Sequence, residues 1–187
     1  MEIKGYKGFN KDKTNRYGMQ FEEGKSYHTD GPISFGNNGN GFHMATHLSD
    51  VFRFFRPEDV VTASVVGSGE VAEGEYDDWS EPYYDMYSVS DLYVVKFLTR
   101  DEIINVIKNS SASDIVKFFA TYNVTEEEGY EIIRNCTDKR DYEKAVRALL
   151  FYIHKVNIYN MGYREQERVV KKVLEYGQNY SQRGKGK

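Results

Sequence analysis

His43 is the residue of this chain best suited by type and position to acid–base chemistry. It follows Gly41-Phe42 at the end of a run that reads as a strand, just before a helix start, where side chains often point into a cleft. An imidazole of near-neutral pKa takes up and returns protons close to pH 7. Tyr6 and Lys7 on a neighbouring strand, with a carboxylate such as Glu70, would complete a catalytic set able to assist phosphodiester transfer in RNA. The RNA 2′-hydroxyl would be the nucleophile, so no metal is needed. The plainer account of His43 is a histidine that satisfies buried backbone groups. His43 and His47 stand four apart, as two ligands on one helix face would. Gly41-Phe42-His43 reads as extended, however, and no third ligand is evident, so no metal site is expected. His28 and His154 have no chemical company in the sequence. Ser68 within Gly67-Ser68-Gly69 lacks the flanks of a nucleophile elbow and reads as a tight turn. There is no Gly-rich phosphate loop followed by Lys-Ser or Lys-Thr and no dinucleotide fingerprint; no cofactor is expected.

A second candidate is a charge block. The chain of 187 residues carries 25 Lys and Arg against 29 Asp and Glu, a net charge of −4. Residues 1–56 balance at +2 and residues 96–187 at +4, whereas residues 57–95 contain no Lys or Arg and ten acids. Within that block Glu75, Tyr76, Asp77, Asp78, Trp79, Glu81, Tyr83, Tyr84, Asp85 and Tyr87 interleave carboxylates with aromatic rings. Carboxylates can occupy positions meant for phosphates, and aromatic rings can stand where bases stack, so this stretch suits a basic groove on a partner. The plainer account is a solvated acidic loop. The same charge argues against unaided nucleic-acid binding, since phosphates would be repelled.

Length and composition bound the rest. With 40% hydrophobic and 29% charged residues the chain is globular, and it is long enough for one ordinary domain or an α+β unit with a helical extension. A single cysteine, Cys136, excludes an intramolecular disulfide and a Cys-based zinc site. No run of 18 apolar residues occurs and Met1–Gly5 has no secretory character, so the expected place is the cytoplasm, with no membrane contact.

The elements that must position these residues change character along the chain. Met1–Phe9, Tyr17–Phe21, Lys25–His28, Val60–Val66 and Leu92–Leu98 read as strands, with Gly67-Ser68-Gly69 as a hairpin turn into Glu70–Ala72. A short helix capped by Thr46 or Ser49 presents Val51, Phe52 and Phe55. Thr99–Glu102, Ser111–Asp114 and Thr125–Glu128 are helix-start signatures, and Asp138–Asp141 looks like a fourth. A last helix spans about Arg164–Tyr176, with Gly177 as its stop. Lys139, Arg140, Lys144 and Arg147 cluster at helical spacing, as do Arg164, Arg168, Lys171 and Lys172, but interleaved acids make solvated faces of them. Strands followed by helices give α+β: an N-terminal twisted, mostly antiparallel sheet with one short helix, then a helical C-terminal half. The expected division is 1–98, 99–180 and a flexible tail at 181–187.

Gly5-Tyr6-Lys7-Gly8-Phe9, Gly18-Met19-Gln20-Phe21 through Tyr27, Gly41-Phe42-His43 and Asp50–Phe55 occur in an order that resembles an N-terminal module of phage and prophage proteins. The resemblance covers roughly residues 4–98. Where that family often has cysteines this chain has Asn40 and Met44-Ala45, so no cysteine-dependent role is implied. The module is also similar to part of some anti-CRISPR proteins from mobile elements of bacteria that carry type II-A systems. That resemblance implies a Cas9 inhibitor in a host bacterial cell, with Cas9 or its guide-RNA complex as partner and RNA contact within the complex. Two mechanisms stand open: a stoichiometric binder using the acidic Tyr-rich block, and cleavage of guide RNA by His43 and its neighbours. Tyr6-Lys7-Gly8 followed by Gly41–Thr46 and Phe54-Phe55 is also vaguely similar to ADP-ribosyltransferase patterns, for which Glu70 or Glu73 would be the late glutamate.

Overall fold

A computed structural model describes residues 1–36, 38–74, 85–136, 139–155 and 161–183, giving only the backbone for residue 139 and residues 174–183. The chain is α+β, with an N-terminal antiparallel sheet of five strands and a helical C-terminal half. It divides into two compact units, Met1–Ile103 and Ile104–Lys187, each described below by itself.

The first unit is built from β1 (Ile3–Asn10), β2 (Lys25–His28), β3 (Phe42–Ala45), α1 (Leu48–Val51), β4 (Val60–Glu73) and β5 (Met86–Phe97). The sheet order is β2-β5-β3-β1-β4, and β4 also pairs with β5. Four strands therefore close on themselves, β5-β3-β1-β4, while β2 prolongs the β5 edge that β3 begins. Inside lie Ile3, Phe9, Phe21, Phe42, Met44, Ala63, Val65, Val89, Leu92, Val94 and Phe97. Phe9 meets Phe21 at 4.7 Å and Phe97 at 5.5 Å between ring centroids, and Phe21 meets Tyr27 at 4.5 Å and Phe42 at 6.1 Å. Tilted and edge-on geometries of this kind add to the gain from burial.

Local chemistry explains where the strands depart from expectation. Tyr17–Phe21 is not a strand, because Asn15 Oδ1 accepts the N–H groups of Tyr17 and Met19, leaving one isolated bridge, Thr14↔Gln20. Phe21 still reaches the core from this loop. Gly67-Ser68-Gly69 does not reverse the chain: β4 runs through it to Glu73, and Gly69, with φ of 77°, absorbs an irregularity between Ser68 and Val71. β5 begins at Met86, six residues earlier than its apolar pattern announced. Ser88 and Ser90 are buried there with their hydroxyls satisfied by Asn40 O and Asp91 Oδ2. The short helix has His47 at its N-cap with no side-chain cap bond, and Ser49 is buried inside it. The Thr46 hydroxyl donates instead to Asp85 O.

The helical starts behave as their signatures require. Thr99 and Glu102 exchange bonds ahead of α2 (Arg100–Ile107), and Ser111 Oγ accepts the Asp114 N–H ahead of α3 (Ala112–Thr121). Thr125 and Glu128 form a full capping box on α4 (Glu126–Ile133). Residue 138 lies outside the described residues; α5 spans Lys139–Ala148 and continues as a π-helical turn, Leu149–Ile153. Gly129 lets α4 approach that turn, since a Cβ there would land on Leu149. α6 (Tyr163–Arg183) runs through Gly177, a residue that costs a helix about 1 kcal/mol without being obliged to end it. Among the described residues no helix is long and apolar enough to cross a membrane.

Phe21 is fully buried and touches three aromatic rings, so Phe21→Ala is expected to cost about 3–5 kcal/mol in urea unfolding. A loss under 1 kcal/mol would mean that this ring does not hold the loop on the core.

Candidate functional site

β1 and β3 place three of the four residues read as catalytic side by side. Tyr6 is in register with Ala45, and His43, two residues before Ala45, shares its face of the sheet. Tyr6 packs with Ala45, Val51 and Met86, and burial raises the pKa of its hydroxyl. Lys7 is partly buried, and its Nζ donates to His43 O at 2.7 Å. Burial, reinforced by the Arg16 charge, pulls the ammonium down to about 8. The His43 ring lies 5.0 Å from the Phe35 ring, and Nε2 accepts the Gly36 N–H at 3.2 Å. Its pKa is lowered, first by burial and then by the charges of Lys7 and Arg16. A neutral imidazole with its Nε2 lone pair already engaged is the state this arrangement favours.

Glu70 is not brought to them. It is exposed on β4 beside the Ser68/Val71 irregularity, where its N–H donates to Ser90 Oγ. Between that stretch of β4 and β3 runs β5, so about 10 Å of sheet separates the strands.

Of the acidic, aromatic block, Glu75, Tyr76, Asp77, Asp78, Trp79, Glu81, Tyr83 and Tyr84 lie outside the described residues. Asp85 is exposed at φ of 62°, its carbonyl taking the N–H and hydroxyl of Thr46. Its carboxylate stands 3.8 Å from His47 Nε2. His47 is thus at a helix N-cap while His43 is in a strand, and the pair does not share a helix face. Tyr87 packs partly against the sheet core, and burial raises its pKa. Among the described residues no group of three or more His, Cys, Asp or Glu is placed to hold a metal ion.

The sequence hid two histidine constellations. On one surface His28 Nδ1 meets Asp91 Oδ1 at 2.8 Å and Nε2 meets Asp30 Oδ1 at 3.2 Å. The second Asp91 oxygen accepts from Ser90 Oγ at 2.6 Å. His28, Asp91 and Ser68 lie directly opposite one another on β2, β5 and β4, at the side of a cleft of about 290 Å³ that Ser26 and Tyr93 also line. Gly69 makes this packing feasible, because a Cβ there would land on Asp91 and Ser90. In the helical unit His154 caps the π-helical turn, 3.3 Å from Tyr130 Oη and 3.9 Å from Glu126 Oε1. His28 and Asp91 are 63 residues apart, and only strand register, which no local motif encodes, joins them.

With this geometry in hand, the comparisons are spare. Residues 3–81 match a family model described as Domain of unknown function (DUF7666), a stretch that runs from β1 past the end of β4. No curated protein and no solved structure matches the chain.

The two strand histidines are expected to titrate on opposite sides of 6.5. The hydrogen bond to Asp91, then Asp30, raises His28, whereas burial and the neighbouring cations lower His43. For stability the signs follow. The His28 contribution is complete below about 6.5 and fades as pH rises through its higher folded value. Asp91, lowered by Ser90 and His28, contributes above about 3.8 and loses that as pH falls through its folded value. NMR titration of the imidazole resonances reads both orders directly; His43 titrating above His28 would contradict the geometry.

Proposed function

We propose that the protein is an inhibitor of a bacterial defence nuclease of the Cas9 type, acting as a stoichiometric binder through an acidic, aromatic surface. The observation that carries this reading is the coincidence of a charge block with one structural unit. The cation-free stretch, residues 57–95, is nearly coextensive with the β4–β5 hairpin, in which Lys96 is the one Lys or Arg. The hairpin is closed just below its connection by Gly74 N–H donating to Met86 O at 2.8 Å, and Thr46 holds Asp85. The described residues that flank the acidic, aromatic stretch in sequence, Glu73 and Asp85, are both exposed. The carboxylates and rings that the sequence carries between them suit the positively charged channel in which a guide-dependent nuclease holds nucleic acid.

Binding is favoured over guide-RNA cleavage by the other site. Glu70 stands apart from His43, and the His43 Nε2 lone pair is engaged by a backbone N–H. An acid–base pair for phosphodiester transfer needs two groups within reach of one substrate.

The test incubates Cas9 and its guide RNA with this protein at sub-stoichiometric and excess ratios, then reads guide length and target-DNA cleavage. Blocked cleavage near one equivalent, with intact guide, is expected. Inhibition should weaken with salt and on charge reversal at Asp77, Asp78 and Glu81. Guide shortened at sub-stoichiometric protein would make it an enzyme. Untouched cleavage at excess would remove the proposal.

A further inference from the structure

Three strands converge on one imidazole. The Glu70 N–H of β4 donates to Ser90 Oγ at 3.0 Å, and the Ser90 hydroxyl donates to Asp91 Oδ2 at 2.6 Å. The other oxygen, Asp91 Oδ1, meets His28 Nδ1 of β2 at 2.8 Å. Both oxygens of this carboxylate are engaged, so it cannot turn without breaking a bond. A carboxylate only accepts, so Nδ1 carries the proton, and Nε2 of the neutral ring keeps its lone pair.

Stability alone does not account for this order. His28 keeps 58% of its side-chain surface exposed, and an exposed ion pair is worth about 0–1 kcal/mol. Nε2 has Asp30 Oδ1 at 3.2 Å, but the Asp30 side chain is fully exposed, so it swings away at the same small cost. The ring is fixed through one nitrogen and available through the other, at the side of the cleft of about 290 Å³. One row along the same face, Ser26 and Tyr93 stand opposite each other. Two residues of strand separate the rows by about 7 Å, room for a water and a carbonyl group. Among the described residues no Lys or Arg lines the cleft, while Asp91 and Asp30 attend the ring. Phosphate and carboxylate substrates are therefore repelled, and neutral ones are not.

We propose that His28 is the general base of a hydrolytic site for neutral carboxylic esters, with Asp91 as its positioning residue. A water in the cleft gives a proton to Nε2 as its oxygen bonds to the carbonyl carbon. The Ser26 and Tyr93 hydroxyls are the donors placed to meet the negative charge that develops on the carbonyl oxygen. As the carbonyl re-forms, the bond to the alcohol oxygen breaks and Nε2–H returns the proton to that oxygen. Acid and alcohol leave, the ring is neutral again, and no other reactant is consumed. This site does not rest on the inhibitor reading, so the failure of either leaves the other standing.

The experiment uses the full chain alone, with p-nitrophenyl acetate as the neutral probe and p-nitrophenyl phosphate as the charged one. Saturable hydrolysis of the acetate, faster than by free imidazole at the same concentration, is expected. His28→Gln, an exposed change, should lower kcat about 100-fold, the lower end of what a positioned base contributes. Asp91→Asn should lower it too, with the amide spectrum reporting whether that variant folds; if it does not, His28→Gln decides. The titratable groups around His28 are Asp91 on β5, Asp30 beyond β2 and the Tyr93 phenol. Asp91 foremost, then Asp30, holds the imidazole above its ordinary 6.5, so kcat should rise with pH through that higher value. In Asp30→Asn the lone pair is freed and the rising limb moves to lower pH, so kcat at pH 7 should increase. Hydrolysis no faster than by imidazole, or unchanged in His28→Gln, overturns the proposal. Turnover of the phosphate overturns the assignment to neutral esters.

Discussion

The first unit depends on β5 being shared. Its one edge carries β3 and then β2, and its other edge carries β4 almost end to end. β1 alone among the strands does not pair with it through the backbone, and β1 is tied to β3 and β4. One strand thus satisfies the backbone groups of three others, and in doing so closes the sheet around the ring cluster of Phe9, Phe21, Phe42 and Phe97. The hydrogen-bond constraint and the apolar core reinforce each other. The register that pairs Val65 with Val94 and Ala63 with Phe97 also aims those side chains inward.

The irregularities lie on the edge that β4 holds alone. β4 shifts register against β5 at Ser64/Val65 and again at Ser68/Val71. At the second shift Gly69 takes a left-handed φ, and the Ser90 and Asp91 side chains fill the space a Cβ would have claimed. That is how Asp91 comes to face His28. The polar cluster is a consequence of how the sheet closes, and its charges are paired.

The parts legible in the sequence were those encoded locally. Thr99, Ser111 and Thr125 announced helix starts because a cap and its partner lie three residues apart, and the structure shows each bond. Lys25–His28 was legible as a strand from a short pattern between turn residues. Segments whose composition is overridden by their hydrogen-bond partners were not legible. Gly67-Ser68-Gly69 has turn composition, yet β5 alongside it holds the chain extended. Tyr17–Phe21 has strand composition, yet Asn15 takes its N–H groups. Of the residues chosen for their chemistry, Tyr6 and Lys7 were read on a strand neighbouring His43 and those strands do adjoin, whereas Glu70 stands across β5. His28 had no visible company because both of its carboxylates come from outside its own strand.

The same dependence bears on the family match. Residues 3–81 contain β1 to β4 but stop before Met86, where β5 begins. β2 pairs with β5 and with no other strand, and β3 would keep one register position, Tyr6↔Ala45. The core would also lose Val89, Leu92, Val94 and Phe97, each worth about 1.5–3 kcal/mol when fully buried. A marginally stable domain does not survive the removal of four such side chains together with most of its ladder partners. The physical unit that carries the Tyr6, Lys7 and His43 arrangement is therefore longer than the stretch of sequence that resembles other proteins, and it reaches at least through Phe97.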